Sequence, residues 1–582
     1  MVRQRLLTTC AAFIFFTIAV VYITYPLPFH MDSLVSGWGD ELVIAWIQNW
    51  VVHSLFTNPL EIFQANTYYP YHNTLAYSDA FFISSVLGFP ALWLLKEPVV
   101  LFNFTFISSL IMLGFFTYLL SMYLTKNFLA SFLSGLLLVF SPAVLDKRVH
   151  LQVLAIQWVP LALLFFFLFI NKKKSRYFIL SIIFFIVQTL NSFLPGYFII
   201  FSYVVISVFA FMKKKLSWSV LLRKKHMLVC FLAALLLLPV IVPYYQVSQE
   251  FSYTRDIREA IHYALQPEDL LVPNDDSRLQ SIMTTLTHQK DFKTPVEVKN
   301  GYIGFVFSLL VIYAFFRFIN RIKKNSFYFS ALFMTGIVGL ITSLGPALHL
   351  FRKTIHHPFP IILPYALFYY VLPGFNGFRN SARFEMLFVL CSAVSVGILL
   401  HEITKRMQQR KRVLLFLALF AGIVAEFRFP MQFIKAPQLK DFPPVYRWVA
   451  TTPREAVIIE LPVYNWYMAP YINNQRMRQF YSTQHFRKTV SGASGFSPPP
   501  WQQFVEKTVS EFPSPESLRQ LKQKRIQYLL VYKKEYDELA SVSYQVRNKK
   551  IPDGKSVVSS LNASDLVSYI QTFDDVYVYK MK

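Results

Sequence analysis

Three cysteines in 582 residues leave sulfur chemistry little to work with. Cys10, Cys230 and Cys391 each sit inside an apolar run. Neither a disulfide framework nor a Cys-type metal site can be assembled from them. The chain also lacks zinc-ligand spacing, a P-loop, a serine-hydrolase elbow and a nucleotide-binding glycine pattern, so the chemistries those motifs carry find no footing. There is no internal repeat and no low-complexity segment. Charge is scarce, at 15% of residues, and from Leu27 to Ala80 there is no Lys or Arg at all, in a chain of formal net charge +25. That same stretch holds Asp32, Asp40, Glu41, Glu61 and Asp79.

What is abundant is apolar surface. With 54% hydrophobic side chains, 59 Phe and 33 Tyr, the chain reads as a polytopic α-helical membrane protein. Membrane-length runs occur near 8–27, 98–124, 128–146, 150–170, 176–193, 196–212, 227–245, 302–319, 326–344, 382–402 and 412–428. Two further stretches, 80–95 and 358–373, are shorter or broken by proline. Residues 8–27 follow a basic MVRQR but no small-residue cleavage site succeeds them, so they read as the first transmembrane helix rather than a leader. The basic clusters are Arg3/Arg5, Lys126, NKKKSR (171–176), KKKLSWSVLLRKK (213–225), RFINRIKK (317–324) and TKRMQQRKR (404–412). Retention of Lys and Arg on the cytoplasmic side orients such chains. Only when neither 80–95 nor 358–373 spans do all clusters fall on that side. The expectation is therefore eleven transmembrane helices in the inner (cytoplasmic) membrane, N-terminus inside. The basic balance does not indicate nucleic-acid binding, because the clusters alternate with spans.

On this reading the first loop (28–79), the 246–301 loop, the 346–381 segment and the C-terminal tail lie outside. Residues 40–56 carry apolar side chains at helical spacing and are expected to form an amphipathic helix in the membrane interface, with Trp38, Trp46 and Trp50 at headgroup depth. Segment 358–378, with proline at both ends, is expected to be re-entrant or interfacial. From about residue 430 the composition shifts to proline, charge and short β-like runs, AVIIELPV (456–463) and IQYLLVYKK (526–534). The domain expectation is a membrane domain over 1–429 and an extracytoplasmic α/β domain over 430–582.

An acid beside hydrocarbon with no cation in its own loop is a functional candidate. Asp40 and Glu41 open the interfacial helix, where backbone N–H groups favour carboxylates, so Asp40 could equally be an N-cap. As a catalytic group it could take a proton from a hydroxyl or amine acceptor. With a second acid, such as Asp79, it could hold a divalent metal; no cofactor is otherwise implied. His150 lies between the third and fourth helices. Arg379 and Arg383, four residues apart at the outer start of the tenth, would share a helix face suited to a phosphate. Arg383 could also be snorkelling at a helix end.

The order of parts resembles the C-type (GT-C fold) membrane glycosyltransferases, to which protein O-mannosyltransferases and lipid A aminoarabinose transferases belong. Asp40-Glu41 matches the DE motif of that superfamily, and the resemblance implies Asp40 as the catalytic acid/base. The whole chain is more similar to a set of bacterial polytopic membrane proteins of this type, whose substrates are largely unassigned. The shared stretches are FQANTYYP, SLGP (343–346), PGFNGFRNSARF, IIELPVY, YSTQHFRKTVSGASGFSPP and FPSPESLRQLKQKRIQYLLVY. What the resemblance implies is an inverting hexosyl transfer from a polyprenyl-phosphate-linked donor to an envelope or lipid acceptor, with donor lipid and membrane lipid as partners. The second-loop acid of oligosaccharyl transferases has no clear counterpart here, since Glu259, Glu268, Glu297, Asp275 and Asp276 all compete. A transporter or flippase of lipid-linked glycans is the alternative class, although no span carries a charge at its midplane as transporters do. A non-catalytic partner in envelope assembly is the third.

Overall fold

Apolar helices dominate the structure, a computed structural model that describes residues 2–273, 279, 301–320, 326–351, 353–356, 358–427, 431–465, 468 and 471–582. Six of the described helices are long and apolar enough to cross a membrane: Leu6–Ile23, Val100–Thr125, Leu151–Lys172, Phe193–Met212, Lys224–Glu250 and Ser381–Thr404. Phe128–Val139 and Pro142–Val149, bent by 45° at their junction, make a seventh if counted as one span. The chain is a membrane protein. Six or seven of the expected eleven reach this length among the described residues; Ser175–Asn191, Phe305–Asn320 and Phe327–Ser343 are shorter apolar helices. A 17-residue helix rises about 25 Å, against a hydrocarbon core of about 30 Å. Gln409–Glu426, the remaining candidate, opens with QRKR. Phe82–Leu95, at 14 residues, is shorter still.

By compactness the chain divides into two units: Met1–Phe29, Thr105–Pro239 and Tyr253–Gln432 form the first, and His30–Phe104, Val240–Ser252 and Phe433–Lys582 the second. A single cut at 429/430 does not express this grouping, since the first long loop clusters with the C-terminal residues. In the first unit the core is helix on helix. Ser381–Thr404 packs against Phe327–Ser343 and Phe128–Val139, and close approach depends on small residues, as in membrane bundles generally. A Cβ at Gly397 would collide with Ser134 Oγ and come within 3.1 Å of Ala130 O. One serine pair, Ser121 Oγ to Ser134 Oγ at 3.0 Å, joins hydroxyls in that same contact.

The second unit is built on a five-stranded sheet. We number its strands β1 (Val457–Leu461), β2 (Lys488–Thr489), β3 (Tyr528–Tyr532), β4 (Val567–Phe573) and β5 (Val576–Met581). Their order is β4-β5-β3-β1-β2, with β1 parallel to both β2 and β3 and β5 antiparallel to β3 and β4. Both β-like runs read from the sequence are thus central strands. Every residue of β1 is buried, the pattern of a parallel strand covered on both faces.

Helix α1 (Asp40–Thr57) belongs to the same unit and departs from expectation. All residues from Glu41 to Val52 are buried, so it is not an interfacial helix with one wet face. Its tryptophans explain why. Trp46 Nε1 donates to Asn66 Oδ1 at 3.2 Å and Trp50 Nε1 to Ile62 O at 2.8 Å. The loop that follows wraps the helix and takes the place of lipid headgroups; only Trp38 stays exposed.

His485, in this unit, is fully buried beside Arg487 and stacks on the Tyr446 ring with centroids 5.9 Å apart. Its Nδ1 accepts from Arg487 N at 2.8 Å. Burial first, and Arg487 second, pull its pKa down to about 3. The unfolded chain therefore binds a proton here that the folded chain refuses. The associated stability is present above about pH 6.5 and is lost as pH falls towards about 3, by up to about 1.4 kcal/mol per pH unit. His485→Gln keeps an acceptor and should flatten this part of the pH dependence of thermal unfolding between pH 7 and 4. Parallel curves for the variant and the wild type would rule the assignment out.

Candidate functional site

Helix α1 begins at Asp40, and Gly39, with no side-chain cap, is the N-cap residue. Asp40 therefore occupies the first helical position, one residue past the N-cap. It meets instead Arg476, from helix α3 (Ile472–Tyr481) once α2 is taken as Phe82–Leu95. Arg476 Nη2 donates to Asp40 Oδ1 at 3.2 Å, and Nη1 donates to Asn473 Oδ1 at 2.9 Å. The Asp40 side chain is 39% exposed and that of Arg476 15%. A carboxylate at the start of a helix, fixed by a guanidinium yet open on one side, can accept a proton from a bound hydroxyl.

Glu41 points elsewhere. Its side chain is buried, with Oε1 accepting from Ser36 Oγ at 3.1 Å and Oε2 from Gly39 N at 3.0 Å. Burial raises its pKa, with Asp40 adding to the rise and the hydrogen bonds opposing it. Gly37 makes room for this carboxylate, since a Cβ there would stand 2.5 Å from Glu41 Oε1. Glu41 thus ties the entry turn 36–39 to the helix that carries Asp40.

The C-terminal residues fasten the same loop. Tyr68 N donates to Ser491 O at 3.2 Å, Tyr69 N to Thr489 O at 3.0 Å, and Thr489 N to Asn66 O at 2.7 Å. The Tyr68 hydroxyl lies 3.1 Å from Ser497 Oγ. Two of the motif stretches, FQANTYYP and YSTQHFRKTVSGASGFSPP, are therefore strand-like partners. Asp79, half-buried at the loop's end, lies beside Tyr244, whose hydroxyl donates to Ser78 O at 2.7 Å.

His150, Arg379 and Arg383 fall in the first unit. His150 stands at the N-cap position of the short helix Leu151–Leu154, without a side-chain cap hydrogen bond. The shared-face argument for the two arginines does not hold. Asn380 is extended, at φ −110° and ψ 101°, a 3-10 turn covers Ser381–Phe384 and the α-helix starts only at Glu385. Arg379 lies with its guanidinium carbon 4.9 Å from the Tyr263 ring centroid. Sequence reasoning missed Glu385 altogether. It is fully buried, neither carboxylate oxygen has a hydrogen-bond partner among the described residues, and Lys147 and Asp146 are charged groups acting on it. Glu385, five residues after Asn380, follows directly on the PGFNGFRNSARF stretch, where it continues into an apolar run.

Of the competing second-loop acids, Glu259 pairs with Arg255 at 3.5 Å and Glu268 Oε1 accepts from Phe351 N at 2.6 Å. Glu297, Asp275 and Asp276 lie outside the described residues. Among the described residues no three His, Cys, Asp or Glu side chains gather to hold a metal ion.

The model of the family described as "Domain of unknown function (DUF6311)" matches residues 10–424, and the chain belongs to that family. No curated protein matches it. Similar solved structures include the archaeal oligosaccharyltransferase AglB from Archaeoglobus fulgidus in complex with an inhibitory peptide and a dolichol-phosphate, at 12% identity over 91% of this chain and 70% of that one, TM-score 0.46. The Archaeoglobus fulgidus oligosaccharyltransferase complex with Zn and sulfate has 13% identity over 97% and 72%, TM-score 0.47. The same enzyme tethered to an acceptor peptide containing the NVT sequon has 12% identity over 98% and 74%, TM-score 0.49.

Proposed function

We propose that this member of the family is a membrane glycosyltransferase that moves a sugar from a polyprenyl-phosphate-linked donor to an envelope or lipid acceptor on the outer side of the cytoplasmic membrane. The observation that carries the reading is the Asp40 carboxylate, in the first turn of α1, 39% exposed and held by Arg476 at 3.2 Å. Asp40 takes the proton of the acceptor hydroxyl while that oxygen bonds to the anomeric carbon. The bond from that carbon to the lipid phosphate breaks, the phosphate leaves with the polyprenyl chain, and configuration inverts. Glu41 holds the entry turn. Asp79, His150, Arg379 and Arg383 remain the substrate-side candidates, the arginines for the donor phosphate.

The test is transfer by the full chain in detergent. Sugar should move from a polyprenyl-phosphate donor and not from a soluble nucleotide sugar; the opposite preference overturns the reading. Arg476 offers a sharper check. The Arg476 side chain is mostly buried and also holds Asn473, so Arg476→Ala should lower the thermal midpoint by a few degrees through lost packing while the chain still folds. The charge-assisted hydrogen bond that orients the base is lost with it, and turnover should fall roughly 10- to 100-fold. Equal turnover in Arg476→Ala and wild type would remove Arg476 from the site.

The reading also requires the shorter apolar helices to complete an eleven-span topology with the second unit's C-terminal residues outside. Single cysteines at Lys174, Ser219 and Gln408 should resist a membrane-impermeant thiol reagent, and those at His72 and Ser560 should react. All five positions are exposed, so burial does not blur the outcome. Labelling at 174 or 408 from outside would sink this topology.

A further inference from the structure

The second unit contains a groove that the transfer chemistry does not use. It has a volume of about 350 Å³ and lies beside the C-terminal half of α1. His53, Lys96 and Gln484 are among its polar lining residues, and Val52, Leu92 and Phe486 among its apolar ones. His53 follows Asp40 by thirteen positions, which places the groove roughly 20 Å along the helix axis from that carboxylate. Three features converge on one kind of occupant.

The first is charge. Lys96, exposed at the C-terminus of α2, lines the groove, and Arg454 and Arg487 act on His53 electrostatically. Glu97, next to Lys96 in sequence, is engaged, its Oε2 accepting from Leu439 N at 2.8 Å. An anion entering here meets the Lys96 ammonium at the groove wall. The second is an unmet acceptor. Gln484 Oε1 is buried and has no hydrogen-bond partner among the described residues. Such an atom calls for a donor, and a hydroxyl on the ligand supplies one. The His53 imidazole, stacked on Phe486 at 4.0 Å and 15°, forms a rigid wall beside it.

The third is continuity with apolar surface. Trp93 and Leu94 are 70% and 72% exposed on the last turn of α2, next to the groove-lining Leu92 and Lys96, and Phe56, which packs on Phe89 at 4.8 Å, is 68% exposed. A chain of exposed large apolar side chains leading from a cationic groove matches an amphiphile, with head and tail placed in sequence along the surface. A soluble anion would explain the cations and leave the apolar tract unused.

We propose that this groove binds an anionic membrane lipid whose head carries both phosphate and hydroxyl groups. The phosphate sits at Lys96 and His53, a head hydroxyl donates to Gln484 Oε1, and the hydrocarbon tail runs out over α2. The site is separate from Asp40 and does not depend on the transfer reaction, so it stands or falls independently of the proposed activity.

Native mass spectrometry of the full chain released from a nonionic detergent tests it, with dioleoyl phosphatidylglycerol as probe and dioleoyl phosphatidylcholine as the zwitterionic comparison. One phosphatidylglycerol should be retained about tenfold more tightly than phosphatidylcholine, and Lys96→Glu should abolish that preference, as expected for loss of a charge-assisted contact. Lys96 is exposed, and a wild-type elution volume establishes that the variant is folded; if it fails that criterion, His53→Gln carries the same comparison. Competition on the wild type provides an arm that needs no variant. Glycerol phosphate at matched concentration should not displace the lipid. Unchanged preference in folded variants, or equal displacement by glycerol phosphate or inorganic phosphate, overturns the lipid site.

Discussion

Asp40→Asn should abolish most sugar transfer while leaving the fold intact. General-base catalysis contributes about 10²–10⁴-fold, and the amide cannot take the acceptor proton. Everything else about the side chain survives. Its Oδ1 can still accept from Arg476 Nη2, the bond seen at 3.2 Å. Gly39, not Asp40, holds the N-cap position, so the helix start loses no cap. The thermal midpoint should therefore stay within a few degrees of wild type. The measurement that decides is mass spectrometry of cell-surface glycans in cells deleted for the gene and carrying either version. If both restore the same glycan equally, Asp40 is structural. Glu41 makes the contrast. Glu41→Ala removes the acceptor for Ser36 Oγ and Gly39 N, and unmade buried hydrogen bonds of this type cost about 1–3 kcal/mol. Its signature should be instability first and inactivity as a consequence.

Local signals in the sequence reached a good part of this. Apolar length alone located helices such as Val100–Thr125, Phe193–Met212 and Ser381–Thr404, because a membrane-length run has few other uses. The DE pair at a helix start was visible from the change to helical spacing after Gly39. What was not visible were partners supplied from far along the chain. Arg476 follows Asp40 by 436 positions, and nothing around it in INNQRMRQFY distinguishes it from Arg478. Burial of α1 was also out of reach. Its apolar pattern is as compatible with a lipid surface as with a wrapping loop, and only the Trp46–Asn66 and Trp50–Ile62 contacts decide between them. The shared helix face of Arg379 and Arg383 failed for a third reason: spacing of four implies one only if every residue between is helical, and Asn380 is not.

The largest expected loss of stability is at Arg478, two residues beyond Arg476 and turned inward. Its side chain is 3% exposed, donates to Glu535 Oε2 at 2.8 Å and to Pro462 O at 2.6 Å, and lies 4.0 Å over the Tyr532 ring. Glu535 Oε2 also accepts from the Tyr464 hydroxyl at 2.5 Å. Glu460, buried nearby with its pKa raised by burial and partly restrained by Arg478, accepts from the Tyr446 hydroxyl at 2.5 Å. Removing the guanidinium strands the Glu535 carboxylate and the Pro462 carbonyl together. Breaking a buried pair from one side costs about 3–5 kcal/mol, a drop in thermal midpoint on the order of 10 °C. Arg478→Lys should rescue little, because an ammonium cannot reach both acceptors in the plane that the guanidinium fork spans. Arg478→Met combined with Glu535→Gln should recover much of the loss, since the double change removes the stranded charge while keeping an acceptor for Tyr464. Unfolding midpoints of the single and double variants in detergent measure the difference. If Arg478→Met alone unfolds with the wild type, the network contributes nothing to holding β1 and β3 in place. If the double variant is as unstable as the single, the cost lies in packing around Tyr532 rather than in the uncompensated carboxylate.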